Sequence, residues 1–233
     1  MANEPEQVRE NYARIAEGIA QAAVKSGRDP GDIAFMAVTK TVPPELVNVA
    51  IDCGIRLLGE NRVQEYQSKM EQYRPGIPVD FIGTLQANKV KDLMGHVRLI
   101  HSVDRLSLAQ EIEKQAARRD MVQEILLEVN IGGEESKSGC TPDALPALLQ
   151  ETAALPHVRV RGLMTIPPPA SGDRYLKAMQ ALFEECKAHP VPGTQMDILS
   201  MGMSEDYEAA VLCGSNLVRV GSALFGARAY PVR

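Results

Sequence analysis

The sequence predicts an α/β fold, a single (β/α)8 barrel with an extra helix at its N-terminus. Three observations carry this expectation. The chain has 233 residues, 45% hydrophobic and 24% charged, the size and make-up of one globular domain spanning 1–233. Eight short apolar or β-branched runs alternate with longer stretches of helical period, which is the signature of a parallel sheet. No low-complexity linker divides them, and eight βα repeats in about 200–250 residues match a closed barrel better than the alternative, an open doubly wound sheet.

Taken in order, residues 5–27 open the chain as an amphipathic helix. Val8, Tyr12, Ile15, Ile19 and Ala23 share one face, with Pro5 near the start and Gly27 just past the end. The strand runs are 33–39, 56–59, 79–83, 98–103, 124–130, 158–165, 196–200 and 217–220. Helical patterns over 44–53, 62–72, 88–94, 105–119, 142–152, 173–188 and 205–213 lie between them. The proline-rich segment 166–170 reads as the loop after the sixth strand rather than as a domain boundary.

Composition narrows the function. Twenty-five Lys and Arg against 30 Asp and Glu leave a net charge of −5, with no excess of cations for a nucleic-acid backbone. No apolar stretch approaches the roughly 20 residues that span a bilayer. The MANEPEQ start reads as neither a secretory nor a mitochondrial leader, so a cytoplasmic location is expected. Cys53, Cys140, Cys186 and Cys213 form no CxxC pair, and His96, His101, His157 and His189 form no HExxH motif. No metal site is expected, and the thiols should be reduced.

In such a barrel the site is built from the C-terminal ends of the strands and the loops that follow. That rule selects Lys40, Glu60 and Asn61, Thr84 and Gln86, Ser102, Asn130, Met164 and Thr165, residues 200–204, and Gly221 with Ser222. Lys40 ends a run apolar enough to be buried, and burial lowers the pKa of an amine. A neutral amine is what a Schiff base with an aldehyde requires, the plain alternative being a lysine that snorkels to solvent. In LSMGMSED, Ser200, Gly202 and Ser204 precede a helix, and hydroxyls, a glycine and backbone N–H groups suit an anion. A simple helix cap at Ser204 is the competing reading, since Glu205 and Asp206 would oppose a phosphate. Arg219 interrupts the apolar last strand, a costly place for a guanidinium unless it meets a polar ligand or a carboxylate such as Glu60 or Glu128. Gly221 and Ser222 follow it, in the loop that frequently helps hold phosphate in these barrels. Amine, anion cradle and internal cation together point to an aldehyde-bearing phosphate, and pyridoxal 5′-phosphate (PLP) carries both groups.

The segments AVTKTVPP, LLGENRVQE, FIGTLQANK, HSVD, EVNIGGEESKSG, RGLMTI, LSMGMSEDYEAA and RVGSALFG occur in this order between positions 33 and 226. Together they resemble the pyridoxal phosphate homeostasis protein family, relatives of the N-terminal barrel of alanine racemase. The resemblance implies a type III PLP fold with Lys40 as the Schiff-base lysine. It places Ser200, Ser204, Gly221 and Ser222 at the phosphate, Asn61 and Met164 near the ring, and Arg219 against the pyridine nitrogen, which is thereby left unprotonated. Lys137 also matches the family pattern, whereas Thr84 stands where the family usually has His and Arg62 where an aromatic is common. The implied role is to hold PLP for intracellular homeostasis or delivery to apoenzymes, as a monomer and without strong catalysis of its own.

Two other activities fit parts of this pattern. An amino-acid racemase needs a second base on the opposite face of the substrate carbon, which alanine racemase takes from a tyrosine of a C-terminal domain. Here 13 residues follow Val220, too few for that domain, and Tyr12, Tyr66, Tyr73, Tyr175, Tyr207 and Tyr230 fall away from the strand ends, so racemase activity is expected to be weak or absent. A class I aldolase usually carries its lysine on the sixth strand, where this chain has Gly162, Leu163 and Met164.

Overall fold

A computed structural model describes residues 4–169 and 172–226; Ala170 of the proline-rich segment, Tyr230 and the first three residues of MANEPEQ lie outside them. After α1 (Pro5–Lys25) come β1 (Ala34–Val38), α2 (Pro44–Cys53), β2 (Leu58–Glu60), α3 (Val63–Lys69), β3 (Val79–Phe81), β4 (Leu99–Val103) and α4 (Leu106–Ala117). The chain continues through β5 (Gln123–Glu128), α5 (Leu145–Ala153), β6 (Val158–Met164), α6 (Arg174–Ala188), β7 (Ile198–Ser200), α7 (Tyr207–Leu212), β8 (Leu217–Val220) and α8 (Ser222–Phe225). All eight strands are parallel and neighbour one another in sequence order, and β8 returns to β1 through Ala34–Leu217 to Ala37–Val220 pairs. The sheet is therefore a closed barrel, and the doubly wound alternative is excluded.

The helical pattern over 88–94 forms as a 3-10 helix, Ala87–Asp92. Lys89 N–H donates to Gln86 O and Leu93 N–H to Val90 O, and this three-residue spacing stacks Val90 and Leu93 in one buried row. α8 is only four residues long, too short to cover the outside of the last strand. α1 takes that place: it packs against α2, α7 and α8, burying Val8, Ile15, Ile19, Ala22 and Ala23. Tyr12 of α1 stacks on Phe35 of β1 with ring centroids 5.7 Å apart, and Asn11 donates to Leu224 O at 3.0 Å.

Side chains inside the barrel alternate with those facing the helices, as strand period demands. One apolar interior cluster joins Met36, Val38, Leu57, Ile82 and Leu217, and another joins Leu99, Leu126 and Met164. Between β5 and β6 the register slips, with Ile125 opposite Val160 but Leu126 opposite Gly162. Arg161 is the extra residue, and its guanidinium turns outward to Glu124 and Asp197. Gly162 has no room for a side chain, because a Cβ there would stand 1.9 Å from the carbonyl oxygen of Ile198 on β7. Gly162→Ala is accordingly expected to destabilise the fold by about 3 kcal/mol, read as a lowered urea midpoint at unchanged slope.

Candidate functional site

At the C-terminal ends of the strands lies a cavity of about 620 Å³. Six of the residues expected from the sequence line it together: Lys40, Asn61, Ser204, Arg219, Gly221 and Ser222. Val38 and Ile82 contribute apolar wall, and Lys137 and Pro167 to Pro169 stand on the opposite rim. Thr84 and Arg62 are exposed and do not line it.

Each position has a local cause. Lys40 sits in the turn that follows β1, half-buried, where strand geometry ends and the chain must bend toward α2. Asn61 follows β2 directly, and the end of β3 presses against it: a Cβ on Gly83 would lie 2.1 Å from Asn61 O. Its side-chain Oδ1 is buried and has no hydrogen-bond partner among the described residues. After β7, Gly202 adopts φ +94°, and a Cβ there would meet Ala210 at 2.5 Å, so only glycine lets this loop lie flat on α7. The loop is pinned from both sides, because Arg219 N–H donates to Gly202 O at 2.9 Å and Met203 N–H to Asp206 Oδ1 at 2.6 Å.

That arrangement removes the helix-cap reading of Ser204. It does not cap α7, whose N-cap is Asp206. Its Oγ instead accepts from Gly221 N–H at 3.3 Å and Ala223 N–H at 3.1 Å. Two backbone donors from the start of α8 thus converge on the Ser204 hydroxyl, on a wall that Ser222 also lines, with the Asp206 carboxylate drawn back to Met203. Such a cradle suits the oxygens of a phosphate.

Below it, Arg219 is buried in the barrel. Its NH1 donates to Ser200 Oγ at 2.6 Å and its NH2 to Thr165 O at 2.8 Å. Burial lowers the pKa of the guanidinium, opposed by the charges of Glu128 and Asp206. Neither expected carboxylate makes a salt bridge to it: Glu128 accepts from Ser138, and Glu60 accepts from Thr39 and Tyr73 on the outer face of the barrel.

Of the strand-end residues, Glu60, Thr84, Gln86, Ser102, Asn130 and Thr165 do not line the cavity, and two of those expected around PLP also stand elsewhere. Ser200 is fully buried and does not line the cavity, since its hydroxyl bridges Arg219 and His101 Nδ1, the latter at 3.1 Å. Met164 is also absent from the wall, its side chain being packed on Leu99 and Leu126 in the barrel interior. Conversely, His101, expected only to bind no metal, and Asp80, which the sequence analysis does not single out, complete a chain of hydrogen bonds across the interior. His101 Nε2 lies 3.0 Å from Asp80 Oδ2, and Arg98 grips both oxygens of the same carboxylate. Their inward parity is the signal that could have found them: Asp80 is two residues before Ile82 and His101 two after Leu99, both interior.

The hydrogen bonds are all met by a neutral imidazole. Arg219 donates to Ser200, the serine hydroxyl donates to Nδ1, and Nε2–H donates to Asp80. Burial likewise lowers the pKa of His101, more than Asp80 raises it, with Arg219 and Arg98 adding to the lowering. Burial pushes Asp80 upward, but hydrogen bonds from His101 and Arg98 overcome it and hold the carboxyl below its ordinary value.

The sign of the pH dependence follows. Below about pH 6.5 the unfolded chain protonates a histidine that the folded chain keeps neutral, so stability falls as pH drops through that range toward the folded-state pKa. Asp80 adds its loss only below its ordinary carboxylate range. Urea midpoints are expected to decline between pH 7.5 and 5.5, by up to about 1.4 kcal/mol per pH unit for the single group. His101→Gln should lower stability at pH 7.5 by about 1–3 kcal/mol and flatten that decline; an equally steep decline in the variant would refute the assignment.

Comparison with known proteins places this geometry in a family. Residues 6–229 match the model of the alanine racemase N-terminal domain. The chain is 43% identical over 226 residues to the pyridoxal phosphate homeostasis protein of Aquifex aeolicus, covering 95% of this chain and 98% of that one. Among solved structures, a protein of unknown function from Bifidobacterium adolescentis superposes with a TM-score of 0.90 at 35% identity, covering 96% and 99% of the two chains. PipY of Synechococcus elongatus, solved with PLP bound, gives 0.74 at 32% identity over 89% of this chain and all of its own. With a closed eight-stranded barrel, an amine and an anion cradle on one cavity, and full-length likeness at this level, the chain belongs to the pyridoxal phosphate homeostasis protein family, within the alanine racemase N-terminal domain fold.

Proposed function

We propose that this protein binds PLP through Lys40 and serves intracellular PLP homeostasis, holding the reactive aldehyde and releasing it to apoenzymes. The observation that carries this reading is the meeting of Lys40, the Ser204–Gly221–Ala223 cradle and the Arg219 cation on one cavity. The residues fit the group in charge and in hydrogen-bonding sense. When bound, PLP supplies an aldehyde that condenses reversibly with a primary amine, with loss of one water.

The chain's own residues set what can follow. Ser204, Ser222 and the N–H groups of Gly221 and Ala223 hold the phosphate end, with Asn61 along the wall. Arg219 is a donor only, so a ring nitrogen placed against it must act as the acceptor and stays unprotonated. A ring in that state is a poor electron sink, which favours storage over carbanion chemistry. Ser200 and Met164 act from beneath, Ser200 by holding Arg219 and Met164 by filling the barrel under the site.

The racemase alternative finds no tyrosine at the cavity to act as its second base. Of the five tyrosines among the described residues, none lines it; Tyr66 donates to His96 O and Tyr73 to Glu60 on the helix side of the barrel. Among the described residues no helix is long and apolar enough to cross a membrane. The reading is completed by a single domain over 1–233, a monomeric state and a cytoplasmic location.

The test is an absorbance spectrum of the purified protein with added PLP, then borohydride reduction and mass analysis of the modified peptide. A visible band and a reduced adduct on Lys40 are expected, with both lost in Lys40→Ala. An adduct that forms equally well without Lys40 would reject the reading. Mixing loaded protein with a PLP-requiring apoenzyme, against free PLP at the same concentration, tests delivery.

A further inference from the structure

The turn that carries Lys40 is held in an unfavourable backbone conformation by a pair of charged residues from the neighbouring helix. Val42 N–H donates to Thr39 O at 3.0 Å, closing a turn with Lys40 and Thr41 at its two central positions. Thr41 has φ +63°, in the left-handed region. Glycine or asparagine takes that place at little cost, whereas a β-branched side chain is strained there. Thr41 and Asp120 are the only non-glycine residues with positive φ among those described, and Thr41 adjoins the lysine of the site.

Both neighbours of Lys40 are gripped from outside the cavity. The N–H of Thr41 donates to Glu65 Oε1 on α3. The carbonyl of Thr39 accepts from Lys69 Nζ at 3.2 Å, and Lys69 closes the set by pairing with the same oxygen of Glu65. The Thr39 hydroxyl is fixed in turn on Glu60 Oε1 at 2.6 Å, which also accepts from Tyr73 OH. Side chains of Glu65 and Lys69 are 16% and 13% exposed, so water competes little for these contacts. Hydrogen bonds from Lys69 and Thr41, with the nearby Lys69 and Arg62 charges, overcome burial and hold the Glu65 carboxyl below its ordinary value, ionised at neutral pH.

An ordinary i,i+4 ion pair on a helix would need neither contact to the turn. Here each partner spends one contact on a residue flanking Lys40, and the conformation they hold is one a threonine would otherwise leave. We infer that Glu65 and Lys69 are positioning residues for Lys40, clamping the strained 39–42 turn so that the amine is presented to the cavity. The inference rests on the reading of Lys40 as the PLP amine and adds a cause for its placement.

The experiment compares wild type, Glu65→Gln, Thr41→Gly and the double variant. Two readouts are taken: the rate and yield of the borohydride-trapped PLP adduct on Lys40, and hydrogen exchange of the 39–42 amides without PLP. Glu65→Gln should slow adduct formation about tenfold and speed exchange at Thr41 by a similar factor, the effect of releasing one strained residue. In the Thr41→Gly background, where positive φ carries no penalty, the same substitution should change adduct formation less than about threefold. A merely structural loss would not be rescued by a glycine at this one position.

Wild-type adduct kinetics in Glu65→Gln, or a tenfold loss that persists in the Thr41→Gly background, would overturn the clamp. Should Glu65→Gln fail to fold, Lys69→Met tests the other arm, with a slowing of about threefold expected and none counting against the proposal. If wild type itself forms no adduct on Lys40, the functional reading falls first, and amide exchange still reports whether the turn is clamped.

Discussion

A guanidinium buried inside a barrel is the constraint around which the rest of this structure is arranged. Arg219 is buried, and a donor left unpaired away from water would cost several kcal/mol. The sheet supplies one acceptor from a strand end, Thr165 O, and one from a side chain, Ser200 Oγ. Ser200 in turn meets His101 Nδ1, His101 Nε2 meets Asp80, and the charge of Asp80 is met by Arg98. One buried cation thereby heads a line of four residues on or beside β7, β4 and β3.

The same chain of bonds explains the division of the interior. Apolar packing is confined to two clusters, Met36 with Ile82 and Leu217 on one side, and Leu99 with Leu126 and Met164 on the other. The polar line crosses between them and ends at the floor of the cavity. The site consequently rests on a hydrogen-bonded base, beneath loops whose glycines permit close approach. Gly83 lets β3 close on Asn61, and Gly202 lets the loop after β7 lie against α7, so that Ser204 reaches the amides after β8.

How much of this is legible in the chain can be judged from particular residues. The eight strands are, because each is a short apolar run between turn signals, and Lys40, Asn61, Ser204, Gly221 and Ser222 follow from the rule that strand ends carry the site. Arg219 is legible as an anomaly in an apolar strand. Ser200 and Met164 fall under the same strand-end rule, yet both side chains lie beneath the cavity. The expected helix at 88–94 forms as a 3-10 helix because two apolar residues three apart cannot specify which helical spacing buries them.

Local pattern therefore determined this protein's architecture and the chemical types at its mouth, since hydrophobic period and strand-end position are properties of neighbours in the chain. Only the tertiary structure decided which hydroxyl binds outward and which inward, that His101 and Asp80 belong to one relay, and that α3 reaches back to brace the turn at Lys40. Those are contacts between residues 20 to 100 positions apart, created by closure of the barrel. A linear pattern carries no record of which distant partner will satisfy a buried polar group.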